Sequence, residues 1–282
     1  MKISFSTLAC PNWTLQQIVA IATSAGYDGI ELRFVEDEDS LWKLPALRGT
    51  QLVNTKRMLS DEGLVVSCLD TSCRFHSPDV AERSRWVSVG ERMSDLAAAL
   101  GAPALRVFGD TIQPGANRAS TRSWIAGSIH DLSSYASARG VEIWLETHGD
   151  FASAAESAAI LAEAASPLTG IVWDPANCFL EAQESPCEGA SRLGSTIRHV
   201  HIKDLRRDNV LRDDSLGASG TWKPILTGEG NFPLSQVITA LRNLEYDRFL
   251  SFEWEKKWHP EIADAEIALP HFARWARENW DL

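Results

Sequence analysis

Short runs of apolar and β-branched residues alternate with amphipathic stretches from one end of the chain to the other. Short apolar runs are typical of buried strands, whereas apolar residues that recur at a helical spacing predict helices. The runs with the strand pattern cover residues 2–6, 29–33, 65–69, 104–108, 141–147, 170–174, 197–202 and 249–254. The pattern therefore predicts eight strands with helices between them.

Four of the amphipathic stretches carry further helix signals. "TLQQIVAIATSAG" has Thr14 as a plausible N-cap and stops at Gly26, and "DVAERSRWVSVGERMSDLAAALG" stops at Gly101. "PLSQVITALRNLEY" has the same amphipathic pattern. "AEIALPHFARWARENW" contains Pro270, which predicts a kink or a late start of that helix, because proline lacks the N–H that a helix interior needs.

The regular order of strand and helix favours one architecture. Such alternation predicts parallel strands joined by right-handed crossovers. Eight units in 282 residues fit one α/β domain, a single (β/α)₈ TIM barrel over residues 1–282. A doubly wound open sheet is the alternative, but it usually has a glycine-rich phosphate loop, and no such motif occurs. The long stretch 206–231 is predicted to be a functional loop.

Composition narrows the class of partner. The formal charge is −11, from 38 acidic and 27 basic residues, which argues against a nucleic-acid partner that needs a basic face. No apolar run approaches the ~20 residues that cross a bilayer, so we expect no membrane partner. The N-terminus has no signal-peptide pattern, and the five Cys lack a CxxC pair, so we expect reduced thiols in a cytoplasmic protein. Formation of a homo-oligomer stays open.

Ligand-type residues end four successive predicted strands. They are Glu146 in "WLETHGD", Asp174 in "IVWDPAN", His201 in "HVHIKD" and Glu253 in "LSFEWEK". In a barrel of this kind the C-terminal strand ends meet at one rim, where the chemistry lies. Three carboxylates and one imidazole favour a hard divalent ion, and we expect one ion, Mn²⁺ first, with Mg²⁺, Co²⁺ or Zn²⁺ as alternatives.

These motifs, together with "MKISFSTLA", "GYDGIELR" and "GEGNFPL", resemble the sugar phosphate isomerase/epimerase superfamily, the xylose-isomerase-like TIM barrels. The resemblance covers essentially the whole chain. It implies that Glu146, Asp174, His201 and Glu253 bind one divalent metal. In the ketose 3-epimerase branch the residues matching Glu146 and Glu253 also exchange the substrate proton, and Arg207 matches an arginine that contacts the substrate.

The chain also departs from these relatives. Many of them have a histidine three residues after the metal aspartate, where this chain has Asn177. The branch that cleaves abasic DNA uses a metal ligand at that position, and an Asp and a His just before the GEG turn. Here Trp222 and Pro224 replace those two residues. A DNA-repair endonuclease is therefore disfavoured, and Asn177 is predicted to affect substrate contacts.

Lys203 and His199 share a strand face with His201. Lys203 is predicted to reach the substrate oxygens, with a pairing to Asp204 or to a helix end as the alternative. His199 would lie one layer deeper, where we expect a hydrogen-bonded interior histidine.

The remaining candidates lie in loops or at other strand ends. His148 shares the face of Glu146 if that strand extends far enough, and would then contact the substrate or support the ligands. The loop "EWEKKWHPE" brings Lys257 and His259 near the rim as substrate contacts, unless it is a solvated charge run. Arg33 and Arg106 end the second and fourth strands and are weaker candidates.

The predicted function is a metal-dependent isomerase or epimerase of carbohydrate metabolism. The substrate would be a small keto-sugar or hydroxy-ketone, which reacts by proton transfer through a metal-stabilised enediolate, with Glu146 or Glu253 as the base. The alternative is a dehydratase or lyase that expels a β-hydroxyl or β-alkoxy group from the same enolate. A non-catalytic sugar-binding barrel is disfavoured because all four ligands are intact.

Overall fold

Eight parallel strands build the centre of the molecule, in a computed structural model that describes residues 1–166, 168–207 and 222–280. The barrel strands are β1 (Lys2–Ser6), β2 (Gly29–Leu32), β3 (Val65–Arg74), β4 (Ala104–Phe108), β5 (Glu142–Glu146), β6 (Thr169–Trp173), β7 (Ile197–Ile202) and β10 (Phe249–Phe252). They close in the order β1-β10-β7-β6-β5-β4-β3-β2. The predicted (β/α)₈ TIM barrel is confirmed.

Helices cover the outside of the barrel. In the described part of the chain they are α1 (Leu15–Ala25), α2 (Gly49–Asp61), α3 (Val80–Leu100), α4 (Arg118–Ser137), α5 (Ala154–Ala164), α6 (Pro175–Glu181), α7 (Pro186–Leu193), α8 (Leu234–Asn243) and α9 (Ala265–Trp280). The predicted ends of α1 are confirmed, because the Thr14 side chain accepts from the N–H of Gln17 and Gly26 is left-handed at φ 73°. Helix α9 begins at Ala265 with Pro270 inside it, so the late start is not observed.

One expectation about the loop after β7 is wrong. The stretch 206–231 was predicted to be a loop, but parts of it belong to an antiparallel hairpin of β8 (Asp204–Arg207) and β9 (Trp222–Ile225). The middle of that stretch, residues 208–221, lies outside the described residues. Pattern reading misses this hairpin because both strands are short and β9 contains a proline.

Asp204 joins the hairpin to the turn that follows it. Its carboxylate accepts the backbone N–H groups of Leu205 at 2.8 Å, Gly228 at 2.8 Å and Gly230 at 2.9 Å. A Cβ atom on Gly230 would lie 2.1 Å from Asp204 Oδ1, so only glycine fits there. The motifs "HVHIKD" and "GEGNFPL" are therefore two sides of one hydrogen-bonded turn.

Apolar residues fill the layer between strands and helices, where the rings of Phe252 and Phe272 stack at 4.5 Å. The barrel interior is different, because ionisable residues replace the apolar ones toward the C-terminal ends of the strands. Glu31, Asp70, Arg106, His199 and His201 are all buried. No helix in the described ranges is long and apolar enough to cross a membrane.

Candidate metal centre

The four ligand-type residues come to one place because their strands are neighbours in the barrel. Glu146 is the last residue of β5, and His201 lies near the end of β7. Asp174 directly follows β6, and Glu253 directly follows β10. The order β10-β7-β6-β5 makes these strands one continuous arc, so their C-terminal ends share one part of the rim.

The geometry of this cluster fits a single metal ion. Each of the four buried side chains offers one ligand atom, and these atoms all lie within 4.8 Å of one another. His201 Nδ1 faces Glu146 Oε1 at 3.4 Å and Glu253 Oε1 at 3.3 Å. His201 Nδ1 lies among these carboxylates and is buried with no hydrogen-bond partner in the described chain. Buried polar atoms are normally satisfied, and a cation bound between Nδ1 and the two Oε1 atoms would satisfy this nitrogen.

Glu31 supports His201 from behind, and sequence analysis did not find it. His201 Nε2 donates to Glu31 Oε1 at 2.8 Å, and His199 Nε2 donates to Glu31 Oε2 at 2.7 Å. This bond fixes the proton of His201 on Nε2 and leaves Nδ1 to face the ligand carboxylates. His199 is thus the hydrogen-bonded interior histidine that the sequence predicts.

Arg106 supports Glu146 in a comparable way. Its Nε lies 3.3 Å from Glu146 Oε2, and its terminal nitrogen lies 3.1 Å from Asp70 Oδ2. The guanidinium also donates to the carbonyl of Thr71 at 3.2 Å. Arg106 was a weaker candidate for the rim, but here it is fully buried between two acids.

Lys203 lies among the ligands rather than above them. Its Nζ is 2.9 Å from Asp174 Oδ2, 2.9 Å from Glu253 Oε2 and 2.7 Å from Glu255 Oε1. The alternative pairing with Asp204 is not the one that forms, because Asp204 holds the turn described above. Lys203 therefore offsets the charge of three carboxylates, and its predicted contact with substrate stays a prediction.

Asp174 has a second task besides facing the ligand cluster. Its Oδ1 accepts the N–H groups of Ala176 and Asn177, both at 2.9 Å, and so caps helix α6. The strand was predicted to extend to this residue, but β6 ends at Trp173 and Asp174 is the N-cap. Asn177 donates to the carbonyl of Thr147 at 3.2 Å, which places its side chain beside the cluster.

Burial and the neighbouring charges together shift the pKa values of these groups, and the direction differs from one group to the next. Burial alone would lower the pKa of His201, but Glu253, Glu31 and Glu146 surround the ring and raise it well above its usual value. Burial raises the pKa of Glu253 to about 7, because Lys203 and His201 offset only part of the cost. For Glu146 the charges of Arg106 and His201 outweigh burial, so its pKa lies well below the usual range.

A cavity opens directly onto the cluster, and we call it the chamber. Its volume is about 140 Å³, and it is lined by Leu8, Arg33, Arg106, Phe108, Glu146, His148, Asn177, Lys203, Glu253, Glu255 and Trp258. A larger cavity of about 470 Å³, the vestibule, shares Arg33, Phe108, His148 and Trp258 with it. Catalytic pockets usually measure ~300–1,000 Å³, so the chamber is one end of a larger site.

The remaining residues that were predicted to contact the substrate lie in different positions relative to the two cavities. His148 follows β5 and packs against the Phe108 ring at 5.0 Å, in the wall between chamber and vestibule. Lys257 lines the vestibule, where it pairs with Asp37 at 2.8 Å. His259 contacts Glu255 and lines neither cavity, and Arg207 is the exposed last residue of β8, also outside both linings. The substrate-binding roles of these residues stay predictions.

Comparison with known proteins gives the family and the fold. A family model described as Xylose isomerase-like TIM barrel matches residues 19–276. No curated protein sequence matches the chain significantly.

Solved structures match nearly the whole length. One is the probable 3-DHS dehydratase AsbF of Bacillus anthracis, at 19% identity and a TM-score of 0.76, which covers 99% of each chain. Another is a D-allulose 3-epimerase from Methylomonas sp., at 20% identity and a TM-score of 0.75, covering 99% of this chain and 97% of that one. The IOLI protein, solved with a bound zinc atom, is 18% identical at a TM-score of 0.77, with 97% and 96% covered. At these identities the likeness shows the fold.

Proposed function

This chain belongs to the xylose isomerase-like TIM barrel family, and from that premise we propose that it is a divalent-metal-dependent isomerase or epimerase of a small keto-sugar or hydroxy-ketone. The observation that carries the proposal is the convergence of Glu146, Asp174, His201 and Glu253 beside the chamber. Its fold neighbours include sugar 3-epimerases, which supports the same reaction class.

Glu146, Asp174, His201 and Glu253 would hold the ion. A bound divalent cation would act as a Lewis acid, which stabilises the negative charge that develops when a C–H proton beside a carbonyl leaves. We propose Mn²⁺, because three carboxylates and one imidazole form a predominantly oxygen site.

The two glutamates are arranged alike, which suits a proton transfer between them. Each directs Oε1 toward His201 and Oε2 toward a cation: Arg106 for Glu146 and Lys203 for Glu253. An ion held at the two Oε1 atoms would leave each Oε2, beside Arg106 or Lys203, as the oxygen that could take up the proton. Both line the chamber, from β5 and β10 at opposite ends of the arc β10-β7-β6-β5.

A substrate carbon held between the glutamates could lose its proton to one of them. Return of a proton from the other glutamate, on the opposite face, inverts the carbon and gives epimerisation. Return to the neighbouring carbon gives isomerisation. Acid–base help of this kind contributes about 10²- to 10⁴-fold to the rate. Leu8, Phe108 and Trp258 form the apolar part of the chamber lining, where fewer waters would compete for that proton.

A dehydratase is the second candidate. It is supported by the fold neighbour named as a probable 3-DHS dehydratase and by the Lys203 ammonium, a cation in the chamber lining that could stabilise the negative charge on a departing hydroxyl group. Both reactions begin with the same C–H proton removal by Glu146 or Glu253.

The test is incubation of Mn²⁺-loaded protein with a panel of keto-sugars and hydroxy-ketones in D₂O, followed by mass spectrometry. We expect deuterium uptake into one substrate without loss of water. Deuterium uptake with loss of 18 mass units of water would identify the dehydratase, since the balance is one molecule of water eliminated per turnover. Absence of any exchange over the whole panel, in protein that holds the ion, would refute both candidates.

A further inference from the structure

Arg33 lies at the boundary between the chamber and the vestibule. It follows the last residue of β2, and the backbone N–H groups of Arg33 and Phe34 both donate to Thr7 Oγ1, at 2.8 and 3.0 Å. This bond pair fixes the backbone at the rim. The Arg33 side chain is only 8% exposed, and it lines both cavities.

Arg33 differs from the other cationic side chains of these two cavities in its distance to the nearest carboxylate. Each of the others has a carboxylate oxygen within 3.2 Å: Arg106 with Asp70, Lys203 with Asp174, Glu253 and Glu255, Arg74 with Asp110, and Lys257 with Asp37. Among the described residues, the nearest carboxylate to Arg33 is Asp39, at 3.8 Å, and it is already bonded to Ser72.

The donors of the Arg33 guanidinium are only partly used. One terminal nitrogen donates to Ser72 Oγ at 2.7 Å, and the other, NH1, is buried without a hydrogen-bond partner in the described chain. Burial and the neighbouring Arg106 lower the pKa of Arg33 to about 10, so the group is still charged at neutral pH. Asp70, Asp39 and Glu146 favour the charged form of Arg33 but offset its burial only in part, and the carboxylate nearest to NH1 is 3.8 Å away. A buried charge is costly unless it is both paired and hydrogen-bonded, so NH1 can still donate to an added anionic acceptor.

We propose that Arg33 binds an anionic group of the substrate, a carboxylate or a phosphate, so that the enzyme acts on an acidic hydroxy-ketone or a phosphorylated ketose rather than on a neutral sugar. This inference rests on the proposed function. The planar guanidinium has the geometry to hold two oxygens of such a group. The chamber, at about 140 Å³, takes the reacting end of the substrate, and the anionic end reaches the vestibule boundary where Arg33 lies.

The test uses three ligands that share one ketose skeleton and differ at the last carbon: D-fructose, D-fructuronate and D-fructose 6-phosphate. Calorimetry measures their binding to Mn²⁺-loaded protein, and deuterium exchange is measured in the same samples. Three proteins are compared: the natural chain, Arg33→Met, and Arg74→Met as a matched control. Arg74 lines the same vestibule but already pairs with Asp110.

We expect the natural chain and Arg74→Met to bind at least one of the two anionic ligands more tightly than D-fructose. Arg33→Met should lose about 10- to 150-fold in affinity for that anion and change little for D-fructose, since a charged hydrogen-bond partner is removed. Arg33→Lys should restore part of the preference, because it keeps the charge. The anionic ligand whose affinity falls in Arg33→Met shows whether the site binds a carboxylate or a phosphate.

Two results would overturn the proposal. Equal affinity of the natural chain for all three ligands would show that no anion site exists. A preference that persists in Arg33→Met, in protein whose melting temperature is unchanged, would show that the ion or another cation binds the anion. An Arg33-dependent preference without deuterium exchange would support the anion site and count against the proposed proton transfer.

Discussion

Strands β5, β6, β7 and β10 form one arc of the barrel, and strands β1 to β4 form the other. The first arc, the ligand arc, carries Glu146, Asp174, His201 and Glu253 with their candidate ligand atoms turned to one point. The second arc, the support arc, carries residues of similar types, namely Glu31, Asp70 and Arg106. Their side chains bond to other side chains: Glu31 to His201, and Arg106 to Glu146 and Asp70.

The difference shows that the two halves of the barrel have different roles in this buried polar site. One arc supplies the side chains whose candidate ligand atoms converge on one point, and the other arc supplies side chains that bond to these ligands and orient them. Partners behind a metal ligand typically change metal affinity by about 10- to 100-fold, whereas loss of a ligand itself removes the site. A variant of one of the four candidate ligands should therefore lose the metal, whereas a variant on the support arc should still bind it, with lower affinity.

The largest effect is expected for Asp174→Asn on the ligand arc. The amide keeps an oxygen for the N–H groups of Ala176 and Asn177, so helix α6 stays capped, but the charged ligand is lost. We expect the bound metal to fall from about one ion per chain to near zero, with activity lost in parallel, because the site loses one of its ligands. Elemental analysis after dialysis measures this, and full metal retention in a folded variant would show that Asp174 is a cap and no more.

Glu146→Gln and Glu253→Gln should come next. Glutamine keeps the shape and an oxygen but cannot accept the proton, so we expect kcat to fall about 10²- to 10⁴-fold in metal-loaded protein. Because both residues are also candidate ligands, occupancy has to be measured in the same samples. A fully active variant with the metal bound would remove that glutamate from the proton-transfer pair.

Lys203→Met separates charge from metal ligation within the ligand arc. Lys203 offers no ligand atom but contacts Asp174 and Glu253 at 2.9 Å. We expect kcat/KM to fall about 10- to 150-fold with the metal retained, since a charged hydrogen-bond partner is lost. The matched control is Lys43→Met, which lies outside both cavities and whose exposed pair with Glu38 contributes about 0–1 kcal/mol. Equal effects in the two variants would contradict a special role for Lys203.

The smallest of these effects is expected on the support arc, for Glu31→Gln. The glutamine oxygen can accept from His199 or from His201 but not serve both, so one ring loses its fixed orientation. Metal affinity should fall about 10- to 100-fold, while the four ligands and the fold stay in place. The affinity is measured by titrating the protein with Mn²⁺ and detecting the free ion by electron paramagnetic resonance. A loss as complete as that of Asp174→Asn would erase the distinction between the two arcs.

The sequence predicts the ligand arc better than the support arc, for a physical reason. Glu146, Asp174 and His201 follow one another at about one strand–helix unit each, and chain order alone places such residues on one rim. Glu253 comes at the end of the next barrel strand, after the long loop. Glu31 and Asp70 also follow apolar residues, but their role depends on which side chain lies across the barrel. His199 and Glu31 belong to strands far apart in sequence, and no local pattern encodes their hydrogen bond.

The same limit applies to the hairpin and to the lysine. Asp204–Arg207 is too short to show a strand period, and its partner strand, Trp222–Ile225, contains a proline. The face shared by His201 and Lys203 was readable from their spacing, but the choice of Asp174, Glu253 and Glu255 as partners depends on the packed arrangement of three separate chain segments.

The double use of Asp174 has a consequence for how such a site changes over evolutionary time. One carboxylate oxygen caps helix α6 and the other faces the ligand cluster, so the same residue would serve both the helix and a bound metal. In a descendant that no longer needs a metal, Glu146 and Glu253 are free to drift, while loss of the cap would still cost about 0.5–2 kcal/mol. We therefore expect relatives that have lost the reaction to keep the aspartate, so that the presence of Glu146 and Glu253 indicates an active protein better than that of Asp174.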